Sequence, residues 1–89
     1  MRNIDLGQAN STKELHQMLA SELNFPDYYG ENWDAFDEVL NDLEYFKESL
    51  IFLNYGLLLL KLPRDAKLFK KCIEEFLRQY PDNNITIDN

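Results

Sequence analysis

Residues 50–55 carry five large aliphatic or aromatic side chains out of six, with Asn54 as the only polar one. Ser49 precedes this run and Gly56 follows it, and both residue types favour turns. A short apolar run without polar alternation is typical of a strand that is buried on both faces of a sheet. The run therefore predicts a buried strand in the middle of the chain.

Two helices are predicted before this strand. Ser11 and Glu14 have the spacing of a capping box, in which each side chain accepts a hydrogen bond from a backbone N–H at the start of a helix. Leucine and methionine side chains then recur at steps of three and four residues, which predicts a helix over residues 12–23. Asn32 is a favourable N-cap, so a second helix is predicted from there to about Phe46.

The remaining segments complete a regular order of elements. Short strands are predicted over residues 3–6 and 85–87, and a long amphipathic helix over residues 65–80. Residues 57–62 are apolar but too few to cross a bilayer. For them we expect a buried crossover helix or a loop that lies on the sheet.

Strand, helices, strand, helix and strand is the order of a small α/β domain. Helical connections between strands favour parallel pairing. The expected fold is therefore a small three-stranded parallel sheet packed against three to four helices. A chain of 89 residues supports one hydrophobic core, so residues 1–89 are expected to form a single domain.

Cysteine content and hydropathy indicate the compartment. Cys72 is the only cysteine, so the chain forms no internal disulfide and gives no sign of an oxidising compartment. The N-terminus lacks an apolar signal core, and no apolar run reaches the roughly 18 residues of a membrane span. We therefore expect a cytoplasmic protein without a membrane partner.

Acidic residues are concentrated in residues 27–48. This stretch has eight acids and one base, a net charge of −7, which equals the net charge of the whole chain. Charge concentrated on one segment creates a field that favours a basic partner. Direct binding of nucleic acid is not expected, because phosphate contacts require clustered Lys and Arg side chains.

Most of these acids fall on the outward side of the second predicted helix. On a helical wheel the core side holds Trp33, Phe36, Val39, Leu40, Leu43 and Phe46. The outward side, with two tyrosines from the preceding loop, holds Glu31, Asp34, Asp37, Glu38, Asp42, Glu44, Tyr45, Tyr28 and Tyr29. An acidic run is most often a solvated face. Here no lysine stands four residues from any of the acids, and the acids are mixed with tyrosines, which favours a protein-binding surface.

Catalysis and metal binding have weaker support. Paired carboxylates act as acid and base where a pocket separates their pKa values, and an exposed convex helix provides no pocket. We expect a partly buried packing role for His16 and a core position for Cys72. No phosphate-binding loop or nucleophile elbow is present. The chain is therefore not expected to be an enzyme, and no cofactor or metal is expected.

The run from Tyr28 to Leu40 reads Tyr-Tyr-Gly-Glu-Asn-Trp-Asp-Ala-Phe-Asp-Glu-Val-Leu. It resembles the signature of the barstar family of bacterial ribonuclease inhibitors, which is approximately Tyr-Tyr-Gly-Glu-Asn-x-Asp-Ala-Leu-x-Asp-x-Leu. Weaker similarity covers nearly the whole chain, from Leu-His-Gln at residues 15–17 to Ile-Thr-Ile at residues 85–87. The resemblance implies a three-stranded parallel sheet packed on helices, in agreement with the predicted order.

Members of this family bind a secreted, guanyl-preferring ribonuclease through the second helix and the loop before it. The resemblance implies that Glu38 takes the place of a substrate phosphate, that Asp34 adds a second acceptor and that Tyr28 packs on the catalytic imidazole. Together with the outward residues, the expected partner-binding set is Tyr28, Tyr29, Gly30, Asn32, Trp33, Asp34, Asp37, Glu38, Asp42 and Tyr45.

The chain departs from the family pattern at several positions, among them Asn41-Asp42-Leu43, which replace small residues at the end of the helix, and the connection to the middle strand is longer. Glu38 stands where the family has a shorter aspartate, and Asp37 stands where it has a tryptophan. The family also has an acid on the last helix, and here Glu74, Glu75 and Arg78 all fall near its position. We therefore expect the mode of binding to be kept with a partner that differs in detail.

Two functions follow from this reasoning. The first is an intracellular inhibitor, or immunity protein, that blocks the cationic active site of a small basic ribonuclease. The second is an acidic protein–protein interaction module, an adaptor or regulator, that inhibits no nuclease. In both cases the free chain is expected to be a monomer.

Overall fold

The computed structural model describes all 89 residues, and its elements follow the predicted order. They are β1 (Arg2–Asp5), a 3₁₀ turn (Leu6–Gln8), α1 (Thr12–Glu22), α2 (Trp33–Leu43), β2 (Leu50–Leu53), α3 (Tyr55–Lys61), α4 (Pro63–Gln79) and β3 (Ile85–Ile87). β1 begins one residue before its predicted start, and α4 begins two residues before.

The three strands form one parallel sheet with β2 in the centre. Phe52 of β2 pairs with Ile4 of β1 and with Ile87 of β3. Four helices accompany the sheet. The predicted α/β fold, with a three-stranded parallel sheet and three to four helices, is therefore confirmed.

The two faces of β2 differ in burial. Leu50 and Phe52 are buried, whereas Ile51 and Leu53 are half-buried. Consecutive side chains of a strand point to opposite faces, so the central strand is covered on one face and only in part on the other. The predicted burial on both faces is wrong for the second face, because a chain of this length has too few elements to cover both.

A chain of aromatic rings connects α2 to the sheet. The ring centroids of Phe36 in α2 and Phe69 in α4 are 6.0 Å apart, and Phe69 is 4.9 Å from Phe52 in β2. All three side chains are fully buried. Because protein cores are close-packed, these contacts fix α2 against α4 and the sheet.

The start of α1 has the predicted capping box with one change of partner. Ser11 Oγ accepts a hydrogen bond from the N–H of Glu14 at 3.1 Å. Glu14 Oε1 accepts in return from the N–H of Asn10, one residue before the N-cap, at 2.9 Å. Together these bonds satisfy two backbone N–H groups at the start of the helix.

α2 is three residues shorter than predicted. It ends at Leu43, because Glu44 adopts a left-handed conformation with φ of 61°. Tyr45 and Phe46 therefore lie in the loop that follows the helix. The buried Asn83 holds this loop: its side chain accepts from the N–H of Phe46 at 2.8 Å and donates to the carbonyl of Glu44 at 3.0 Å.

α3 occupies most of the apolar segment at residues 57–62. Leu58 is fully buried, whereas Leu57 is exposed and Leu60 is 80% exposed. The expected crossover helix is confirmed, but its expected burial is wrong. A helix this short packs only one side against the core, and its other side stays exposed. None of the four helices combines the length and the apolar character that a membrane span requires.

Candidate protein-binding face

Four carboxylates of α2 form what we call the acidic face: Asp34, Asp37, Glu38 and Asp42. Asp37 is half-buried and the other three are exposed. No side chain of the acidic face makes a hydrogen bond or an ion pair, and the only ion pair of the protein joins Arg2 to Glu22 at 3.2 Å. The acids of the acidic face are therefore not ion-paired with bases of the same chain.

Asn32 fixes the start of the helix that carries these acids. Its Oδ1 accepts from the N–H of Ala35 at 2.8 Å, which confirms the predicted N-cap. Asp34 lies in the first turn, where the helix dipole favours a negative charge. Glu38 and Asp42 follow at intervals of one turn, and each such like-charge pair costs about 0.2–0.5 kcal/mol. The helix thus carries its charge at some cost to its own stability.

Gly30 leaves space for this N-cap. A Cβ atom at Gly30 would lie 3.2 Å from Asn32 Nδ2 and 3.4 Å from the Cβ of Ala35. Asn32 Nδ2 also donates to the carbonyl of Gly30 at 3.2 Å. A larger residue would therefore crowd the side chain that caps α2.

The two tyrosines of the loop before α2 have opposite environments. Tyr28 is 83% exposed. Tyr29 is buried, its ring packs at 5.0 Å from that of Phe25, and its hydroxyl is hydrogen bonded to Nδ1 of His16 at 2.6 Å. Burial raises the pKa of Tyr29. The expected outward position is therefore wrong for the Tyr29 side chain, which fills space between α1 and the loop.

His16 is more deeply buried than expected. Its side chain is only 1% exposed, and its ring centroid lies 4.4 Å from that of Trp33. Nε2 of His16 is a buried polar atom without a hydrogen-bond partner. Burial lowers the pKa of His16, against the weaker opposite effects of the Asp65 and Glu31 carboxylates. A neutral imidazole therefore supports both the loop and the start of α2.

Trp33 is half-buried and held by α4. Its Nε1 donates a hydrogen bond to Asp65 Oδ1 at 2.9 Å, and Asp65 also accepts from the hydroxyl of Thr12. The Trp33 ring stands edge-on to Phe36 with the centroids 5.2 Å apart. The indole N–H is therefore engaged within the chain, and only the exposed part of the ring is open to a partner.

The C-terminal end of α2 presents apolar surface beside Asp42. Leu43 is 41% exposed, and Tyr45 is 58% exposed. The expectations that Leu43 lies in the core and that Tyr45 lies on the helix are both wrong, because the helix ends before another turn can form. Glutamate rarely adopts the left-handed conformation that ends α2, so the sequence contains no signal for this end.

α4 adds charged side chains beside the acidic face. What we call the α2–α4 groove consists of two hollows that share Asp37 and Glu75, and it is lined by Trp33, Asp34, Asp37, Leu68, Lys71, Cys72, Glu75, Arg78 and Gln79. Glu75 and Arg78 fall near the position of the family's acid on the last helix, but the groove itself was not predicted, although steps of four and three residues along α4 place its three charges on one side of that helix. Burial, followed by the charges of Asp37 and Glu75, raises the pKa of Cys72 to about 11.

The carboxylates of the acidic face are suited to binding positively charged side chains of another protein. Ionised carboxylates accept short, charge-assisted hydrogen bonds from Arg and Lys side chains. No group of three or more His, Cys, Asp or Glu side chains is arranged to hold a metal ion. The acidic face is therefore suited to a partner that presents several basic side chains.

Comparison with protein families supports the resemblance seen in the sequence. The family model described as Barstar (barnase inhibitor) matches residues 1–88 of the 89. The match includes every element of the fold as well as the acidic face and the loop before it. No curated protein matches the chain.

Proposed function

This chain belongs to the barstar family of barnase inhibitors, and we propose that it inhibits a small, basic, guanyl-preferring ribonuclease inside the cell that makes the enzyme. The acidic face and Tyr28 cover the cationic active site and exclude RNA from it. The chain acts by binding and has no catalytic role of its own.

The observation that supports this proposal is that the acids of the acidic face are free of ion pairs within the chain. Three of the four carboxylates are exposed. An active site that binds phosphates is rich in Arg and Lys, so the two surfaces have complementary charge. Long-range attraction between such surfaces also speeds association, and salt weakens it.

Each residue of the proposed contact has a separate role. Glu38 enters the cluster of Arg and Lys side chains in the place of a substrate phosphate. Asp34, one turn before it, accepts further hydrogen bonds from the same cluster. Tyr28 is exposed and packs its ring on the catalytic imidazole.

Further contacts border this centre. Asn32, Gly30 and the exposed part of Trp33 form one edge of it, and Asp37 lies between Asp34 and Glu38 along the helix. Asp42, in the last turn of α2, and Tyr45, two residues beyond the helix, extend the contact at its other end. Tyr29 contributes indirectly, because its buried side chain holds the loop that presents Tyr28.

Rigidity of the binding face favours tight association. The loop is anchored by the hydrogen bond between Tyr29 and His16, and the start of α2 by that between Trp33 and Asp65. A surface that is already ordered loses less conformational entropy when it binds. The acids are thus held in place before the enzyme arrives.

Titration of the protein against a panel of barnase-type ribonucleases tests the proposal, with RNA cleavage as the readout. Inhibition by the wild type should fall by at least about a hundredfold in the double variant Asp34→Ala, Glu38→Ala, since removing one member of a buried ion pair costs about 3–5 kcal/mol.

The double variant Asp82→Ala, Asp88→Ala is the matched control, because both acids are exposed, lie outside the acidic face and carry the same total charge. It should inhibit almost as well as the wild type. A wild-type protein that binds a basic ribonuclease without slowing RNA cleavage would support the interaction-module function instead. Equal inhibition by the two double variants would contradict the proposed role of the acidic face.

A further inference from the structure

The α2–α4 groove carries charges of both signs, unlike the acidic face that it borders. α2 contributes Asp34 and Asp37, whereas α4 contributes Lys71, Glu75 and Arg78. The polar hollow at the Arg78 end has a volume of about 280 Å³ and no hydrophobic side chain in its lining. This end of the groove is therefore a polar, charged recess.

The bases of the groove are free to interact with a partner. Lys71 and Arg78 are exposed, and neither makes an ion pair or a side-chain hydrogen bond. The acids that share the groove with them, Asp37 and Glu75, lie beyond ion-pair distance. Charges of this kind are solvated in the free protein, and they give up only water when a partner supplies a counter-charge.

Spacing along α4 fixes where such counter-charges must stand. Lys71 and Arg78 are seven residues apart, which is two helical turns or about 10 Å along the helix axis. Glu75 lies between them on the same side. Along α4 the groove therefore presents the charges of Lys71, Glu75 and Arg78 in the order positive, negative, positive. This row lies next to the row of acids on α2.

We propose that the α2–α4 groove selects the inhibited ribonuclease, and that Arg78 and Lys71 each bind a carboxylate on the enzyme surface beside its cationic active site. This inference rests on the function proposed above and defines its partner more closely. The guanidinium of Arg78 is suited to a bidentate contact with a carboxylate. A ribonuclease with a base at either position meets like charge and is rejected.

Charge reversal at Arg78 distinguishes this role from a merely solvated side chain. The Arg78→Glu variant is more acidic, so general attraction to a basic enzyme predicts unchanged or tighter inhibition. The proposal predicts the opposite, a loss of inhibition of about tenfold to a hundredfold, because a charged hydrogen bond is replaced by repulsion.

Lys67→Glu is the matched control, because Lys67 is an exposed base of the same helix that does not line the groove. The Lys67→Glu variant should inhibit the ribonuclease as strongly as the wild type does, or more strongly. Thermal unfolding should show that both variants remain folded, since neither side chain makes a hydrogen bond. Replacing the facing carboxylate of the enzyme by lysine should restore inhibition by Arg78→Glu.

The two proposals fail in different ways. If the wild type inhibits no ribonuclease of the panel, the proposed function and the inference fall together. If the wild type inhibits an enzyme and Arg78→Glu inhibits it as well as Lys67→Glu does, the role of the groove is refuted while the role of the acidic face stands.

Discussion

Trp33 of α2 donates its indole N–H to the carboxylate of Asp65 in the first turn of α4, at 2.9 Å. Asp65 in turn accepts from Thr12, the first residue of α1. One carboxylate therefore joins the N-terminal ends of three helices. The position of the acidic face relative to α4 depends on this junction, because Trp33 is the residue with which α2 begins.

Replacement of Asp65 by alanine should lower the free energy of unfolding by about 1–3 kcal/mol, because the half-buried indole N–H loses its partner. For a chain of this size, the melting temperature should fall by about 4–8 °C for each kcal/mol. Asp82→Ala is the control, since Asp82 is exposed and its side chain makes no hydrogen bond. Equal melting temperatures for the two variants would contradict a structural role for the junction.

Protonation of His16 should destabilise the protein as pH falls below about 6.5. Burial lowers the pKa of His16 in the folded state, so the unfolded chain takes up its proton first. Stability is then fully present above the unfolded pKa and decreases below it, by up to about 1.4 kcal/mol per pH unit. Urea unfolding at pH 7.5 and pH 5.5 measures this loss.

The variant His16→Gln supplies the control for that measurement, because glutamine does not titrate. Its stability should change much less between the two pH values. The pKa of Asp5 is lowered by hydrogen bonds from Asn54 and Gly7, but the resulting loss of stability begins only near pH 3.8, outside this range. A His16→Gln variant with the pH dependence of the wild type would assign the effect to other groups.

Cys72 should react slowly with thiol reagents in the folded protein. With a pKa of about 11, roughly one thiol in a thousand is ionised at pH 8, and the thiolate is the reactive form. Reaction with Ellman's reagent at pH 8 should therefore be about a hundredfold slower in the native protein than in urea. Similar rates in the two conditions would mean that neither burial nor the acids of the α2–α4 groove protect the thiol.

Asn83 should stabilise the loop that carries Tyr45. It is buried and makes three side-chain hydrogen bonds, to Phe46, Glu44 and Tyr80. Alanine at this position leaves partly buried backbone groups without their partners, so the free energy of unfolding should fall by about 1–3 kcal/mol. Asn84→Ala is the comparison, because Asn84 is exposed and makes one side-chain bond, to Ser49. A smaller loss for Asn83→Ala than for Asn84→Ala would be inconsistent with this role.

Local sequence signals predicted the starts of elements better than their ends. Ser11 and Asn32 mark their helices correctly, because an N-cap side chain bonds to the backbone of its own helix. The end of α2 has no comparable signal. Glu44 takes the left-handed conformation where Asn83, far along the chain, bonds to its carbonyl. That contact belongs to the tertiary structure.

The candidate site shows the same contrast between features set by local sequence and features set by tertiary contacts. The row formed by Asp34, Glu38 and Asp42 follows from helical spacing alone, and its exposure was predicted. The burial of Tyr29 was not predicted, because it depends on a contact with His16, which α1 brings to the loop. The α2–α4 groove also depends on the packing of two helices that are distant in sequence, so a wheel drawn for α2 alone omits it.

Glu38 offers the sharpest test of the proposed contact between the acidic face and a ribonuclease. The family has the shorter aspartate at this position, and we expect the cationic cluster of the cognate ribonuclease to stand correspondingly deeper. Glu38→Asp keeps the charge but withdraws the carboxylate by one methylene group. It should weaken inhibition by about tenfold, since lengthened charged hydrogen bonds lose part of their 1.5–3 kcal/mol.

Glu38→Gln keeps the length and removes the charge, and it should weaken inhibition by about a hundredfold or more, because uncharged oxygen is a weaker acceptor for Arg and Lys. Inhibition constants at low and moderate salt measure both changes. The salt dependence should decrease for Glu38→Gln and persist for Glu38→Asp, because only the first variant removes a charge from the contact. An aspartate variant that inhibits more tightly than the wild type would mean that the target has the geometry of the family's usual partner.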